Sequence, residues 1–224
     1  MASFGGVESI VVGRYDRHTS PDNGYVTRIH QEDLCQATST MSSKKYAADG
    51  DPSATYLMAL LKDTEGNGAR RFTDALLFNY LTASTDAHAK NYSLLHPERS
   101  RALLAPLYDV ASAAPFLKRG RPYHLAMSIG GENRVGWLRK SSIEKFAKVQ
   151  HLDPVALTRR TEELAHLIME NLDGALADLP LRKGIEETAS LLRTRIVALC
   201  KATERNIQVD SNRFKPIDIT RLRA

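Results

Sequence analysis

The chain has 224 residues, 42 % of them hydrophobic, and a formal net charge of +5. That is enough for one large domain, or two small ones, with a real core. No run of about 18 apolar residues occurs, and the opening "MASFGGVESIVVGRYDR" lacks a basic-then-apolar leader, so neither a membrane span nor a secretory signal is expected.

Two lone cysteines, Cys35 and Cys200, stand in no metal-type spacing and fit a reducing cytoplasm better than a disulfide framework. The charge is mild and permits a phosphate-bearing or acidic partner without demanding one. Part of it is concentrated: "LKRGRP" (117–122) holds three cations and the tail "NRFKPIDITRLRA" holds four. No aromatic interleaving accompanies them, so solvated loops are the expectation over nucleic-acid contact.

In chain order, Val7–Asp16 reads as a strand, with Ile10, Val11 and Val12 β-branched and nothing before it to pair with. His18–Tyr25 is a turn cluster, and Tyr25–His30 is the returning strand of a loose hairpin. Gln31–Thr38 reads as a short helix, Ser39–Ser53 as a polar loop and Ala54–Thr64 as a helix. Arg71–Ser84 is a stronger helix. Phe72, Ala75, Leu76, Asn79 and Tyr80 give the helical repeat, and Leu77, Phe78 and Leu81 widen it, so burial nearly all round is expected. Strands follow at Tyr92–His96 and Arg101–Asp109 around a "PERS" turn, with a further extended piece at His124–Gly131. Three helices close the reading, at Ser141–Gln150, at 153–178 with Asp153 as N-cap and Pro154 at N1, and at 183–206 with an apolar face along Ile185, Ala189, Leu192, Ile196 and Leu199. No internal repeat is present.

The chemistry gathers in "STDAHAKNYS" (84–93), straight after the apolar helix, where Asp86, His88, Lys90 and Asn91 share one short loop. The next notable carboxylate is Asp109, in "APLYDV". An Asp that accepts a hydroxyl proton, an Asn a few residues on and a later Asp are the parts of a phosphoryl-transfer site, the last two holding Mg²⁺. Hard oxygen ligands suit that ion, which takes one or two carboxylates and completes its shell with phosphates and water. The competing reading is a polar turn with a helix cap, because Asp and Asn are common loop residues and the spacing recurs by chance. His88, His96 and Asp109 lack zinc-type spacing, and no Ser or Cys sits on a Gly-x-Ser-x-Gly elbow.

"STDAHAKNYSLL" followed by "LAPLYDVASAAP" resembles the C-terminal half of HipA-type serine/threonine kinases, the toxins of type II toxin–antitoxin pairs. Family members carry a T-D-x-H-x-K-N-x-S loop and then L-x-P-x-Y-D, which stand here at Thr85–Ser93 and Leu104–Asp109. "RYDR" (14–17), "HQEDLCQA" (30–37), "SSKKYAADGDPS" (42–53) and "HLAMSIGG" (124–131) resemble further family segments, so the likeness covers most of residues 10–130.

The resemblance implies an α+β, mainly α fold: the helical C-terminal lobe of a protein-kinase-like architecture with short β-hairpins at the cleft. Residues 1–30 would form a hinge strand and hairpin, and 31–224 the lobe. It implies Asp86 as catalytic base, His88 and Lys90 as phosphate-side or loop-bracing residues, Asn91 and Asp109 as Mg²⁺ ligands, and Tyr15 in a hinge facing the adenine of ATP. His30, Gln31, Glu32 and Asp33 would lie on the rim of the cleft with no assigned role. The implied partners are a helix-turn-helix, HipB-like antitoxin, through which alone nucleic acid would enter, and a protein substrate such as an aminoacyl-tRNA synthetase.

Two departures stand out. The family hinge reads E-R-F-D-R, and Gly13 replaces its Glu. The family's N-terminal lobe, with its phosphate-covering loop and lysine, has no counterpart before Ile10, which points to a separate polypeptide supplying it, or to a silent, antitoxin-binding remnant.

Overall fold

In the computed structural model, residues 2–45, 52–177, 179 and 184–223 are described. The chain opens on two antiparallel hairpins. β1 (Ala2–Phe4) pairs with β2 (Val7–Ser9), and β3 (Arg17–Thr19) pairs with β4 (Val26–Arg28). The strand expected over Val7–Asp16 is thus only its first three residues, and it does have a partner before it. Ile10, Val11 and Val12 lie outside any ladder and are exposed, because no neighbouring backbone pairs with them. The turn between β3 and β4 closes by Ser20 N–H to Tyr25 O (2.8 Å) and by Asn23 Oδ1, which accepts from Tyr25 N–H (3.0 Å).

The helix expected over Gln31–Thr38 is split. β5 (His30–Asp33) pairs with β6 (Ser93–His96), and α1 (Leu34–Ala37) begins only after it. Asp33 makes the switch. Its Oδ1 accepts from Gln36 N–H and its own N–H donates to Gln36 Oε1, both at 2.9 Å, a capping box. β6 also pairs with β7 (Leu103–Leu104), a far shorter strand than the Arg101–Asp109 expected. β8 (His124–Ile129) folds back on β9 (Glu132–Arg134) through the Gly130–Gly131 turn.

The body is helical: α2 (Ala54–Leu61), α3 (Gly68–Leu81), α4 (Lys140–Gln150), α5 (Pro154–Ala177) and α6 (Ile185–Gln208). The far end of the expected 153–178 helix and the start of the 183–206 helix fall outside the described residues, as does part of the Ser39–Ser53 loop. α5 and α6 pack along each other, and α3 lies against α2, α5, α6, β7 and β8. Phe72, Leu77, Tyr80 and Leu81 are therefore essentially inaccessible, each worth on the order of 2 kcal/mol of apolar burial. Asp153 caps α5 as expected, its Oδ1 accepting from Val155 N–H at 2.9 Å.

After α6 the tail returns to the body. Ile217 N–H donates to Gly136 O at 3.1 Å, and a Cβ on Gly136 (φ +82°) would stand 2.1 Å from Ile217 O, so only glycine admits this approach. Among the described residues, no helix is long and apolar enough to cross a membrane. Cys35 and Cys200 are both buried and free of disulfides.

Candidate functional site

α3 ends against the loop it presents. Thr82 N–H donates to Phe78 O, Ser84 N–H reaches back to Asn79 O at 2.8 Å, and between them buried Ala83 adopts φ +52°. That left-handed residue turns the chain sharply, where glycine would be the unstrained choice. Thr85 O then accepts from Ala126 N–H (3.1 Å), tying the loop to β8.

The loop is organised by Asn91. Its Nδ2 donates to Asp86 O at 2.9 Å, and its backbone N–H donates to His88 O at 2.9 Å, closing a 3₁₀ turn over Ala89–Asn91. With the amide nitrogen committed, Asn91 Oδ1 is the side-chain atom with lone pairs to offer. The Asp86 carboxylate points outward, 66 % exposed, while His88 is buried with Nε2 3.9 Å from Asp86 Oδ1. Burial pushes the His88 pKa below its usual value and Lys45 acts in the same direction, while the Asp86 and Asp109 carboxylates oppose them. Asp86, His88 and Asp109 thus share one electrostatic neighbourhood.

Lys90 turns away from that group. Its Nζ lies 2.7 Å from Asp33 Oδ2, and this hydrogen bond raises its pKa. The same side of the loop is stitched by Tyr108, whose hydroxyl donates to Lys90 O and meets Ser93 Oγ, both at 2.6 Å, while Gln31 Nε2 donates to Ser93 Oγ at 3.1 Å. Burial pushes the Tyr108 phenol up to about 12. Tyr15 faces this network, with its ring centroid 6.5 Å from that of Tyr108. Beside it, buried Asp16 is gripped by Arg14 (2.8 and 2.7 Å) and by Arg17, and the Arg14 hydrogen bonds hold its carboxyl down at about 2. Together these residues line a cavity of about 260 Å³ bounded by Arg14, Asp16, Gln31, Asp33, Lys90 and Tyr108. A larger concavity, of about 800 Å³, lies elsewhere, between the start of α3 and the start of α5.

Asp109 stands beyond β7 on a left-handed backbone (φ +53°), exposed. The strand expected to end on it stops five residues earlier, at Leu104. The chain past Asp109 is strapped to the end of α3. Ser112 Oγ donates to Thr82 O (2.6 Å), and Ala113 N–H donates to Ala83 O (3.0 Å). The strap continues to Arg195 on α6, 6 % exposed, whose guanidinium donates to Ala114 O (2.7 Å), Leu117 O (3.0 Å), Thr220 O (3.3 Å) and Leu222 O (3.4 Å). A buried cation satisfied by backbone carbonyls locks three distant segments together.

Asn91 Oδ1 and the Asp109 carboxylate are hard oxygen donors of the kind Mg²⁺ takes. Among the described residues, no three His, Cys, Asp or Glu side chains come together as a metal cluster, so a self-contained protein cage of the zinc type is not formed. Asp33, Tyr108 and Arg195 were not singled out by the sequence. For Asp33 the signal was its place in "HQEDLCQ". For Arg195 it was a cation on the apolar face of an amphipathic helix.

A helical lobe that presents an Asp-x4-Asn loop from the end of a buried helix, with short strands at its cleft, is the architecture of a HipA-type C-terminal lobe. The model of the HipA-like C-terminal domain matches residues 1–178, and the chain belongs to that family. A Sinorhizobium fredii protein named "Putative kinase Y4mE" is 32 % identical over 179 residues, 79 % of this chain and 42 % of its own length. The serine/threonine-protein kinase toxin HipA of Shewanella oneidensis is 29 % identical over 191 residues, 79 % of this chain and 41 % of the relative. Among solved structures, the Shewanella oneidensis HipA, HipB and operator DNA complex contains a chain matching with a TM-score of 0.76 at 25 % identity, over 88 % of this chain and 50 % of that one. The chain therefore spans about two fifths of the length of the curated relatives it matches.

Proposed function

We propose that this lobe carries the base and the metal ligands of a serine/threonine protein kinase that moves the γ-phosphate of ATP to a protein hydroxyl. The observation that carries the reading is the Asn91 Nδ2 to Asp86 O bond at 2.9 Å. It fixes, within one loop, the residue that would take the hydroxyl proton and the residue whose oxygen would face the cation. Exposed Asp86 is accessible to an incoming hydroxyl, and a carboxylate in that position accepts its proton. Asn91 Oδ1 and Asp109 would hold Mg²⁺, whose contribution is to neutralise phosphate charge. His88, buried and kept neutral, is a positioning residue behind Asp86. Lys90, engaged by Asp33, braces the loop instead of reaching a phosphate. Tyr15 and the cavity it borders would lie on the nucleotide side.

By the same reading, a second lobe covers the phosphates, supplied by further chain or by a separate polypeptide. The exposed Phe4, Val7, Ile10, Val11 and Val12 supply apolar surface for it. A HipB-like antitoxin is the proposed partner, by analogy with the Shewanella oneidensis complex, and an aminoacyl-tRNA synthetase the proposed substrate.

The test is calorimetry of ATP with and without Mg²⁺ on this chain beside Asp109→Ala and Asn91→Ala. The expected result is Mg²⁺-dependent binding that both substitutions remove; micromolar affinity would correspond to about −8 kcal/mol. In the assembled kinase, Asp86→Asn should abolish phosphoryl transfer while leaving that binding in place. Transfer that survives Asp86→Asn would overturn the assignment of the base. Mg²⁺-independent ATP binding, unchanged in both alanine variants, would overturn the assignment of the ligands.

A further inference from the structure

The two basic segments of the sequence, Leu117–Pro122 and the tail from Asn212, have no part in the site above. The structure brings them to one place. Arg195 binds Leu117 O and Leu222 O with the same guanidinium, so Lys118 and Arg223 leave from a single anchor. Between the two segments lies a cavity of about 610 Å³. Gly120 and Arg121 form one wall, Pro216–Arg221 the other, and Val135 and Trp137 the floor.

The charge there is largely uncompensated. Of the seven cations in the two segments, Arg221 alone forms an ion pair among the described residues, to Asp218 at 3.1 Å. Lys118, Arg119 and Arg121 are exposed. The interior differs from the rim, with Leu117, Val135, Ile217 and Ile219 giving it an apolar lining. The aromatic rings are already engaged. Arg134 lies 3.9 Å over the Trp137 ring, Phe214 sits 5.9 Å from it, and the Tyr123 hydroxyl accepts from Lys118 N–H at 2.7 Å. Base stacking, the usual supplement to a basic nucleic-acid groove, is thereby disfavoured. An apolar hollow ringed by unpaired cations complements an apolar side chain flanked by carboxylates.

We propose that this cavity docks an acidic, leucine-type segment of a partner protein, with the apolar residue seated on Val135 and Ile217 and its carboxylates held by Arg119, Arg121 and the tail cations. The proposal is independent of the phosphoryl-transfer reading, since the cavity shares no residue with that site.

Trp137 is the single tryptophan of the chain and forms the cavity floor, so its fluorescence reports locally. The experiment titrates the full chain with a short peptide carrying paired leucines between runs of Asp and Glu. The same peptide with serines for leucines and a short DNA duplex serve as comparators. The expected result is a saturable change in Trp137 emission, weakened about tenfold by Arg119→Glu with Arg121→Glu and by the serine peptide. Those two arginines are exposed, so their exchange leaves the core intact, which circular dichroism verifies. Equal binding of the serine peptide would reduce the site to charge attraction and overturn the proposal. Tighter binding of the duplex, lost in the same variant, would make the surface a nucleic-acid contact and also overturn it. Absence of any peptide-induced change would do so as well.

Discussion

Lys90 Nζ sits 2.7 Å from Asp33 Oδ2, and the other oxygen of the same carboxylate caps α1. One side chain therefore joins the candidate loop to the strand-to-helix switch of β5 and α1, although the pair is 57 positions apart. Asp33→Ala removes the cap and the ion pair together and is expected to cost about 1–2 kcal/mol of stability. A urea double-mutant cycle with Lys90→Met should return a coupling of about 0.5–1 kcal/mol. Because the Lys90 pKa is raised in the folded state, its contribution is complete below the ordinary lysine pKa and is lost as pH climbs through the raised value. Coupling that persists unchanged in strong alkali would contradict the pair.

His88 has the opposite sign. Its folded pKa is depressed, chiefly by burial, so the unfolded chain binds the proton more readily. Stability should be highest above the ordinary histidine value of about 6.5 and fall as pH drops from there toward the depressed value. His88→Gln removes that titration. Denaturation midpoints measured between neutral and mildly acidic pH should show a shallower decline in the variant than in the parent.

Arg195→Met strips four carbonyls of their donor in a buried setting. The expected loss is about 3–5 kcal/mol, the range for orphaned buried polar groups acting together. Arg195→Lys should recover little, because one ammonium cannot span carbonyls arranged for a guanidinium fork. Limited proteolysis should then cut the 118–121 loop faster in both variants. Unaltered cleavage would mean that the loop is held by something else.

Tyr80 offers a test of the polar core. Its buried hydroxyl donates to Arg134 O (2.9 Å) and accepts from the N–H groups of Trp137 and Leu138. Burial drives its phenol pKa far upward, so it stays protonated throughout. Tyr80→Phe leaves these partners unmatched and should lower stability by about 2–3 kcal/mol, read as a fall in urea midpoint with an unchanged denaturant slope.

The helices were legible because their apolar spacing follows burial directly: α3 is covered nearly all round, as Phe72 through Leu81 require. The Asp86–Asn91 loop was legible by family resemblance, since residue types alone left a capped turn equally admissible. β5 was missed because Gln31, Glu32 and Asp33 carry no strand pattern. Their extension is dictated by pairing with Leu95, Leu94 and Ser93, more than sixty positions away. Lys90 was read as phosphate-facing because the sequence gives no hint that Asp33 lies beside it. The basic segments read as solvated loops for the same reason, since only the tertiary path over Gly136 sets them on opposite walls of one hollow.

Arg195 also fixes a schedule. Ala114 leaves the ribosome 81 residues before the guanidinium that clasps it, a delay of about 5–15 s at ordinary synthesis rates. Thr220 and Leu222 follow later still. A nascent chain halted in that interval carries Asp86, Asn91 and Asp109, yet half the clasp on the Asp109 loop is unmade. Maturation of the site thus waits on translation of the tail, which makes full-length synthesis itself a checkpoint.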